Sequence, residues 1–134
     1  MKLLFFATIL FFSAEAFTDI AVIVHPTNNN VIEVSDLKNL YLGKKRTFPD
    51  GTPAITLSLQ EGLESNSYFN QTVLEKSDSQ LKAYWSKLIF TGKGTPSKQV
   101  SQDELINLVA SNPNTIGYID SSVVTDSVKV VNKF

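Results

Sequence analysis

Short apolar runs rich in β-branched residues alternate with helical patterns, and this alternation is the strongest constraint on the fold. Residues 20–24 read Ile-Ala-Val-Ile-Val, which is typical of a buried strand. In residues 55–59, isoleucine and leucine alternate with polar residues, which predicts a half-buried strand with one polar face. Two further strands are predicted at residues 115–119 and 128–131. The sequence therefore predicts an α/β domain with a small, mixed, largely parallel sheet flanked by helices.

Helical patterns with recognisable ends lie between these strands. Ser35 is placed to cap a short helix, and Gly43 is placed to end it. A second helix is predicted over residues 66–74. A later helix follows Ser101 and Glu104, which have the spacing of a capping box. Helices are therefore expected on both sides of the second strand and before the strand at residues 115–119.

The clearest helical pattern of the chain follows Ser77. Ser77 and Gln80 have capping-box spacing, with the serine at the N-cap and the glutamine three residues later. Large apolar residues then recur at helical spacing, which is typical of a face packed on the core. We assign this face to the core, with Trp85 at its centre; its other members are Leu81, Tyr84, Leu88 and Ile89.

Residues 1–16 have the three parts of a secretory signal peptide. Lys2 gives a positive start, residues 3–12 are uncharged and largely apolar, and small residues in an A-x-A pattern end the segment at Ala16. A helix that spans a membrane needs about 20 apolar residues, so we favour a cleaved signal over a membrane anchor. We therefore expect an exported protein of the bacterial periplasm, with residues 17–134 as a single domain.

Charge and cysteine content limit the partners and the fold of the predicted mature domain. Without Lys2 and Glu15, the 12 basic and 13 acidic residues of the chain become 11 and 12, a net charge of −1. Binding to a phosphate backbone needs a basic face, so we do not expect a nucleic-acid partner. We interpret the basic residues 44–46 as a solvated turn, with a polyanion site as the alternative. The chain has no cysteine, so its stability must come from its core.

Few residues are placed for catalysis. The chain has no cysteine nucleophile, and its single histidine, His25, precedes a proline at a strand end. No paired metal-ligand spacing and no serine-hydrolase motif occurs. Carboxylates are scattered singly, so no acid–base pair can be assigned. We therefore expect no enzyme activity, no metal and no cofactor.

The segment from residue 60 to residue 67 is the best candidate for a binding site. It leaves a predicted strand and enters a predicted helix, where free backbone N–H groups and the helix dipole favour an anion. Ser65, Asn66 and Ser67 add side-chain donors. The alternative is that Ser65 only caps the helix.

Three segments of the chain carry a family resemblance. Residues 36–44 read DLKNLYLGK, residues 83–94 read AYWSKLIFTGKG, and residues 112–120 read NPNTIGYID. In this order and spacing they resemble the phosphate-binding proteins of bacterial ABC transporters, in particular a short, periplasmic subfamily. The resemblance covers most of the predicted mature chain.

The resemblance implies a fold and a set of site residues. It implies one lobe of a type II periplasmic binding protein, whereas full-length members have two lobes that close on phosphate. It also implies that the strand and loop before the second helix bind the ligand. The residues of this chain that we select at those positions are Ser58, Gly62 and Ser65. Asn66 and Ser67 complete the candidate set as the further side-chain donors at the helix start.

Two differences from the family pattern leave the function open. The strand has no arginine, which removes bidentate recognition of an oxyanion. In the loop, Leu63 replaces a hydroxyl donor and Glu64 places a carboxylate where the anion would lie. We therefore expect a solute-binding domain for phosphate or another small oxyanion, with an ABC transporter permease as partner. The alternative is an interaction module that has lost the phosphate site and binds another periplasmic or membrane protein.

We predict that the exported protein begins at Phe17, because the A-x-A pattern ends at Ala16. Intact-mass analysis of a periplasmic fraction should give the mass of residues 17–134. A mass that still includes residues 3–12 would contradict the prediction.

Overall fold

The structure, a computed structural model, describes residues 19–134, so the predicted signal segment lies outside the described part of the chain. In chain order the elements are β1 (Ile20–Val24), α1 (Val34–Tyr41), β2 (Ile55–Leu59), α2 (Glu64–Thr72), α3 (Asp78–Phe90), β3 (Lys98–Val100), α4 (Gln102–Ser111), β4 (Thr115–Asp120) and β5 (Lys129–Lys133). A single 3₁₀ turn, Ser121–Val123, follows β4. Within residues 19–134, every helix is too short or too polar to cross a membrane.

The strands form one mixed five-stranded sheet in the order β3-β2-β4-β1-β5. β2 is parallel to both β3 and β4, whereas β1 is antiparallel to both of its neighbours, β4 and β5. Four of the five strands therefore run in one direction and β1 runs against them. This arrangement confirms the predicted α/β class and the largely parallel sheet.

Helices cover both faces of the sheet. Gly117 and Tyr118 are neighbours on β4, so they point to opposite faces. A Cβ atom at Gly117 would meet Leu105 of α4, whereas the ring of Tyr118 stacks on Phe69 of α2. α4 therefore lies on one face and α2 on the other. All five residues of β1 are buried, as expected for a strand that is covered on both faces.

Two helix starts differ from the sequence prediction. α1 is capped by Glu33 and not by Ser35: the side chain of Asp36 accepts from the backbone N–H of Glu33 in a reciprocal capping box. An acidic residue can replace serine there because the dipole favours negative charge at a helix start. α2 begins at Glu64, two residues before the predicted start. Its N-cap is Leu63, and Ser65 lies inside the first turn, so the alternative that Ser65 caps the helix is wrong.

The capping box at the start of α3 is confirmed, but the assignment of its apolar face to the core holds only for Leu81 and Tyr84, which pack against the core while partly buried, and is wrong for Trp85, Leu88 and Ile89. Ser77 accepts from the backbone N–H of Gln80, and the side chain of Gln80 accepts from the backbone N–H of Ser77. None of the residues of α3 is fully buried; Trp85 is half-buried and Ile89 is 53% exposed. The reason is that Trp85, Leu88 and Ile89 line two open cavities beside the sheet.

The edge of the sheet at β3 also departs from the sequence prediction. β3 has only three residues, two of them exposed, so it carries no apolar pattern that would mark a strand. Ile55, at the start of β2, is 48% exposed, whereas Leu57 and Leu59 are buried as predicted. β2 thus enters the core only at its carboxyl end.

We predict that Gly117→Ala lowers the free energy of unfolding by roughly 1–3 kcal/mol. A Cβ atom at this position would clash with Cδ2 of the buried Leu105 side chain, so this side chain, α4 or β4 must shift. Urea unfolding measures the effect. In a Leu105→Ala background the same substitution should cost less, because the clashing methyl groups are gone. An equal cost in both backgrounds would contradict this packing.

Candidate functional site

The candidate site lies where β2 and β4 separate. The two strands pair over only two residue pairs, Ile55 with Thr115 and Thr56 with Ile116. Beyond this point β2 pairs only with β3, and its backbone groups on the β4 side need other partners. The hydroxyl of Tyr41 supplies one of them: it is 2.8 Å from the carbonyl oxygen of Leu57 and 3.3 Å from that of Ile116.

Two further side chains complete the backbone bonding of β2. The backbone N–H of Leu59 donates to the hydroxyl of Tyr118 at 3.3 Å. The side-chain amide of Asn66 donates to the carbonyl oxygen of Leu59 at 2.9 Å and to the Tyr118 hydroxyl at 3.0 Å. Phe69 stacks on Tyr118 with ring centroids 3.8 Å apart, and Tyr41 meets both rings edge-on. The aromatic cluster of Tyr41, Phe69 and Tyr118 therefore fills the gap between the strands.

Burial keeps both tyrosine hydroxyls protonated. Burial raises the pKa of Tyr41 well above its usual value, and the charge of Tyr118 would raise it further. Burial also raises the pKa of Tyr118, although hydrogen bonds from Asn66, the amide of Leu59 and the side chain of Ser58 oppose the shift. Both hydroxyls therefore act as neutral donors and acceptors that hold the strands apart.

A cleft with a volume of about 500 Å³ opens in front of this cluster. Of the residues predicted from the sequence, Ser58, Gly62 and Asn66 line the cleft. Ser65 and Ser67 belong to the first turn of α2 but are not part of the cleft wall. The structure thus brings together three of the five predicted residues at the carboxyl end of β2. This is where ligands bind in α/β sheets.

Asp78 of α3 adds an acidic group that the sequence reasoning did not assign to the site. Its carboxylate accepts from the hydroxyl of Ser67 at 2.7 Å and from the side-chain amide of Asn70 at 3.1 Å. These two hydrogen bonds, from Ser67 first, lower the pKa of Asp78, and desolvation only partly opposes them. The carboxylate is therefore held in its charged form, and it already occupies donors at the start of α2.

The formal charges in the cleft wall are Glu61, Asp78 and Lys82. Their sum is −1, and no arginine lines the cleft. Glu64, the first residue of α2, is exposed and is not part of the wall. Asp78 and Lys82 could not be foreseen as site residues, because they lie on a separate helix that only the tertiary fold brings to the loop. Within residues 19–134, no cluster of three His, Cys, Asp or Glu side chains could hold a metal ion.

We predict that the protein loses stability as the pH rises above about 10. An unfolded tyrosine ionises near pH 10, whereas the raised pKa values of Tyr41 and Tyr118 keep both protonated in the folded state. Their contribution is complete below the unfolded pKa and is lost as the pH rises through the folded pKa. Urea unfolding between about pH 8 and pH 11 measures this slope.

Tyr41→Phe should flatten the alkaline slope, since it removes one of the two ionising groups. Equal slopes for wild type and Tyr41→Phe would contradict the prediction.

Comparison with known proteins identifies solved structures of one kind. The chain is similar to a phosphate ABC transporter substrate-binding protein from Clostridium perfringens, solved with bound phosphate, with a TM-score of 0.65 and 24% identity over 84% of this chain. It is similar to an ABC-type phosphate transport receptor from Vibrio cholerae with a TM-score of 0.64 and 15% identity, again over 84% of this chain. Neither a protein-family model nor a curated protein sequence matches the chain.

The chain spans less than half the length of these proteins, 43% of the first and 44% of the second. At these identities the similarity establishes the fold, and it agrees with the resemblance seen in the sequence. The described residues therefore share their α/β fold with part of these substrate-binding proteins of phosphate transporters.

Proposed function

We propose that this chain is a periplasmic solute-binding domain that takes a small polar solute in the cleft at the carboxyl end of β2. One observation carries the proposal: Ser58, Gly62 and Asn66, chosen from the sequence, lie together in the wall of this cleft. A volume of about 500 Å³ is in the range of small-molecule sites. The polar groups of the wall can orient a ligand, and Tyr41 is the member of the aromatic cluster that lines the cleft.

Phosphate is the first solute to test, because the structurally similar protein from Clostridium perfringens was solved with bound phosphate. A phosphate in the cleft would meet Gly62 and the start of α2, where helix N–H groups lack intrahelical partners. It would also meet the carboxylates of Glu61 and Asp78, with Lys82 as the only cation of the wall. This wall favours weak binding of a small oxyanion over tight binding of a multiply charged anion. The domain would deliver the bound solute to a transporter permease.

The proposed role is binding without catalysis. The wall of the cleft includes no histidine: His25 lies outside it, and its Nδ1 is 2.8 Å from the hydroxyl oxygen of Thr27. The tyrosine hydroxyls are protonated and bonded to backbone groups. A site of this kind can select and hold a solute.

We predict that Ser58→Ala weakens solute binding by about fivefold to tenfold, as expected for the loss of one hydrogen bond of roughly 1 kcal/mol. Calorimetric titration with phosphate, sulfate and small neutral metabolites measures the affinity. Ser111→Ala is the matched control, because Ser111 is exposed at the end of α4 and bonds only the carbonyl oxygen of Leu108. Equal affinities for wild type and Ser58→Ala would contradict the proposed position of the ligand.

The effect of a second variant on the binding affinity tests the charge of the ligand. Glu61→Gln should tighten the binding of an oxyanion about tenfold, since it removes a like charge from the wall. Asp126→Asn, in the exposed loop before β5, makes the same charge change away from the cleft and should have no effect. If Glu61→Gln instead weakens binding, the solute is neutral or cationic and phosphate is not the ligand.

The second candidate function is the interaction module, and the end of α3 favours it. Phe90 is 93% exposed and Ile89 is 53% exposed, so two large apolar side chains face solvent next to each other. Such exposure is typical of surfaces that contact another protein. A wild-type chain that binds none of the tested solutes, while Phe90→Ser abolishes contact with a periplasmic partner, would favour this function. Val31→Ser is the matched control, since Val31 is an isolated exposed apolar residue in a loop.

A further inference from the structure

A second cavity, which we call the basic cavity, lies on the other side of Trp85 from the cleft. Its volume is about 370 Å³. Trp85, Pro96 and Ser97 line both cavities, so the two are neighbours separated by this wall. The basic cavity shares none of the predicted binding residues with the cleft, and its chemistry is different.

Four basic residues, all of them exposed, and no acidic residue line the basic cavity: Lys45, Arg46, Lys93 and Lys98. Its formal charge is +4, whereas the cleft wall carries −1 and the whole chain −1. Within residues 19–134 the ion pairs are Lys38 with Glu75 and Lys98 with Glu104, the latter at 3.9 Å between exposed side chains. Three of the four cations therefore have no acidic partner in the described part of the chain.

The fold brings these cations together from three separate segments. Lys45 and Arg46 belong to the turn after α1, Lys93 to the turn after α3, and Lys98 to the edge strand β3. The sequence showed only residues 44–46 as a cluster, and the solvated-turn interpretation did not include the other two lysines. These segments are far apart in the sequence, so the cluster of positive charge exists only in the folded protein.

Backbone hydrogen bonds fix the segments that carry the cations. The N–H of Lys45 donates to the carbonyl oxygen of Asn39 at 3.0 Å, and the carbonyl oxygen of Arg46 accepts from Ala54 at 3.0 Å. The N–H of Lys93 donates to the carbonyl oxygen of Leu88 at 2.9 Å. The cations are thus anchored on ordered backbone, which reduces the entropy lost when a ligand binds.

Trp85 forms a close-packed wall of the basic cavity. A Cβ atom at Gly43 would lie 3.1 Å from its ring, and one at Gly94 would lie 3.0 Å from it. The ring is therefore held between two glycine backbones. The side chains of Thr56 and Ser97 add hydroxyl groups, joined to each other by a hydrogen bond of 2.6 Å.

We propose that the basic cavity binds a small, multiply charged anion with more than one phosphoryl or equivalent oxyanion group. Four cations around one recess repel one another unless an anion lies between them. Arginine can bind one oxyanion group in a bidentate manner, and the lysines can neutralise a second. A recess of about 370 Å³ accepts a compact ligand of this kind. The proposal does not depend on the function of the cleft, because the two sites have different residues and opposite charge.

Pyrophosphate is the probe, because it is the smallest anion with two phosphoryl groups. Calorimetric titration should show pyrophosphate binding more tightly than inorganic phosphate and weakening as sodium chloride is added. Lys93→Gln and Arg46→Gln should each reduce pyrophosphate affinity about tenfold, as expected for loss of a charge-assisted hydrogen bond. Thermal unfolding confirms that the variants fold, which their exposed positions favour.

Two controls separate this site from general charge effects and from the cleft. Lys133→Gln makes the same charge change on β5, at the opposite edge of the sheet from β3, and should leave pyrophosphate affinity unchanged. Ser58→Ala tests the cleft and should also leave it unchanged. The proposal is overturned if pyrophosphate does not bind, if Lys133→Gln weakens it as much as Lys93→Gln, or if Ser58→Ala abolishes it while the basic-cavity variants do not.

Discussion

The separation of β2 from β4 is the feature on which the rest of the structure depends. A parallel pair that stops after two residue pairs leaves the Leu57 and Leu59 backbone groups facing a gap. Unpaired backbone groups in a protein interior are costly. Tyr41, Tyr118 and Asn66 supply the missing partners, and the stacked ring of Phe69 fills the space. These side chains thus stabilise the gap between β2 and β4, and the cleft opens next to it.

This arrangement couples the core to the cleft wall. Asn66 bonds both the end of β2 and Tyr118, and it also lines the cleft. On the same helix, Asn70 bonds the side chain of Asn66 at 3.3 Å and the carboxylate of Asp78 at 3.1 Å. A chain of hydrogen bonds therefore runs from the sheet through α2 to the start of α3. Because each member is fixed by the next, a solute at the proposed site would meet a wall that is already ordered.

The parts of the fold that could be predicted from the sequence are those encoded locally. The apolar run of β1 and the capping box at Ser77 need only neighbouring residues, and both are present as predicted. β3 has three mostly exposed residues and is a strand only because β2 lies beside it. The half-burial of Trp85 likewise depends on cavities that form between distant segments.

The cleft and the basic cavity also differ in how far the sequence could predict them. The residues from Ser58 to Asn66 are close in sequence, so the loop could be chosen as a candidate site before the structure was known. Asp78 and Lys82, which change the charge of the cleft, come from the next helix. The basic cavity joins three segments up to about fifty residues apart, and the sequence indicated only one of them, the basic turn at residues 44–46. Electrostatics in this chain is therefore a product of its tertiary structure, with opposite charge on the two sides of Trp85.

A titration followed by two-dimensional amide NMR tests the central claim, that the cleft beside the β2–β4 gap is the solute site. With a bound small solute, the backbone amides of Ser58, Gly62 and Asn66 should shift together and saturate with one dissociation constant, while those of β5 remain unchanged. Saturable shifts confined to other parts of the chain, with these three amides unmoved, would contradict it.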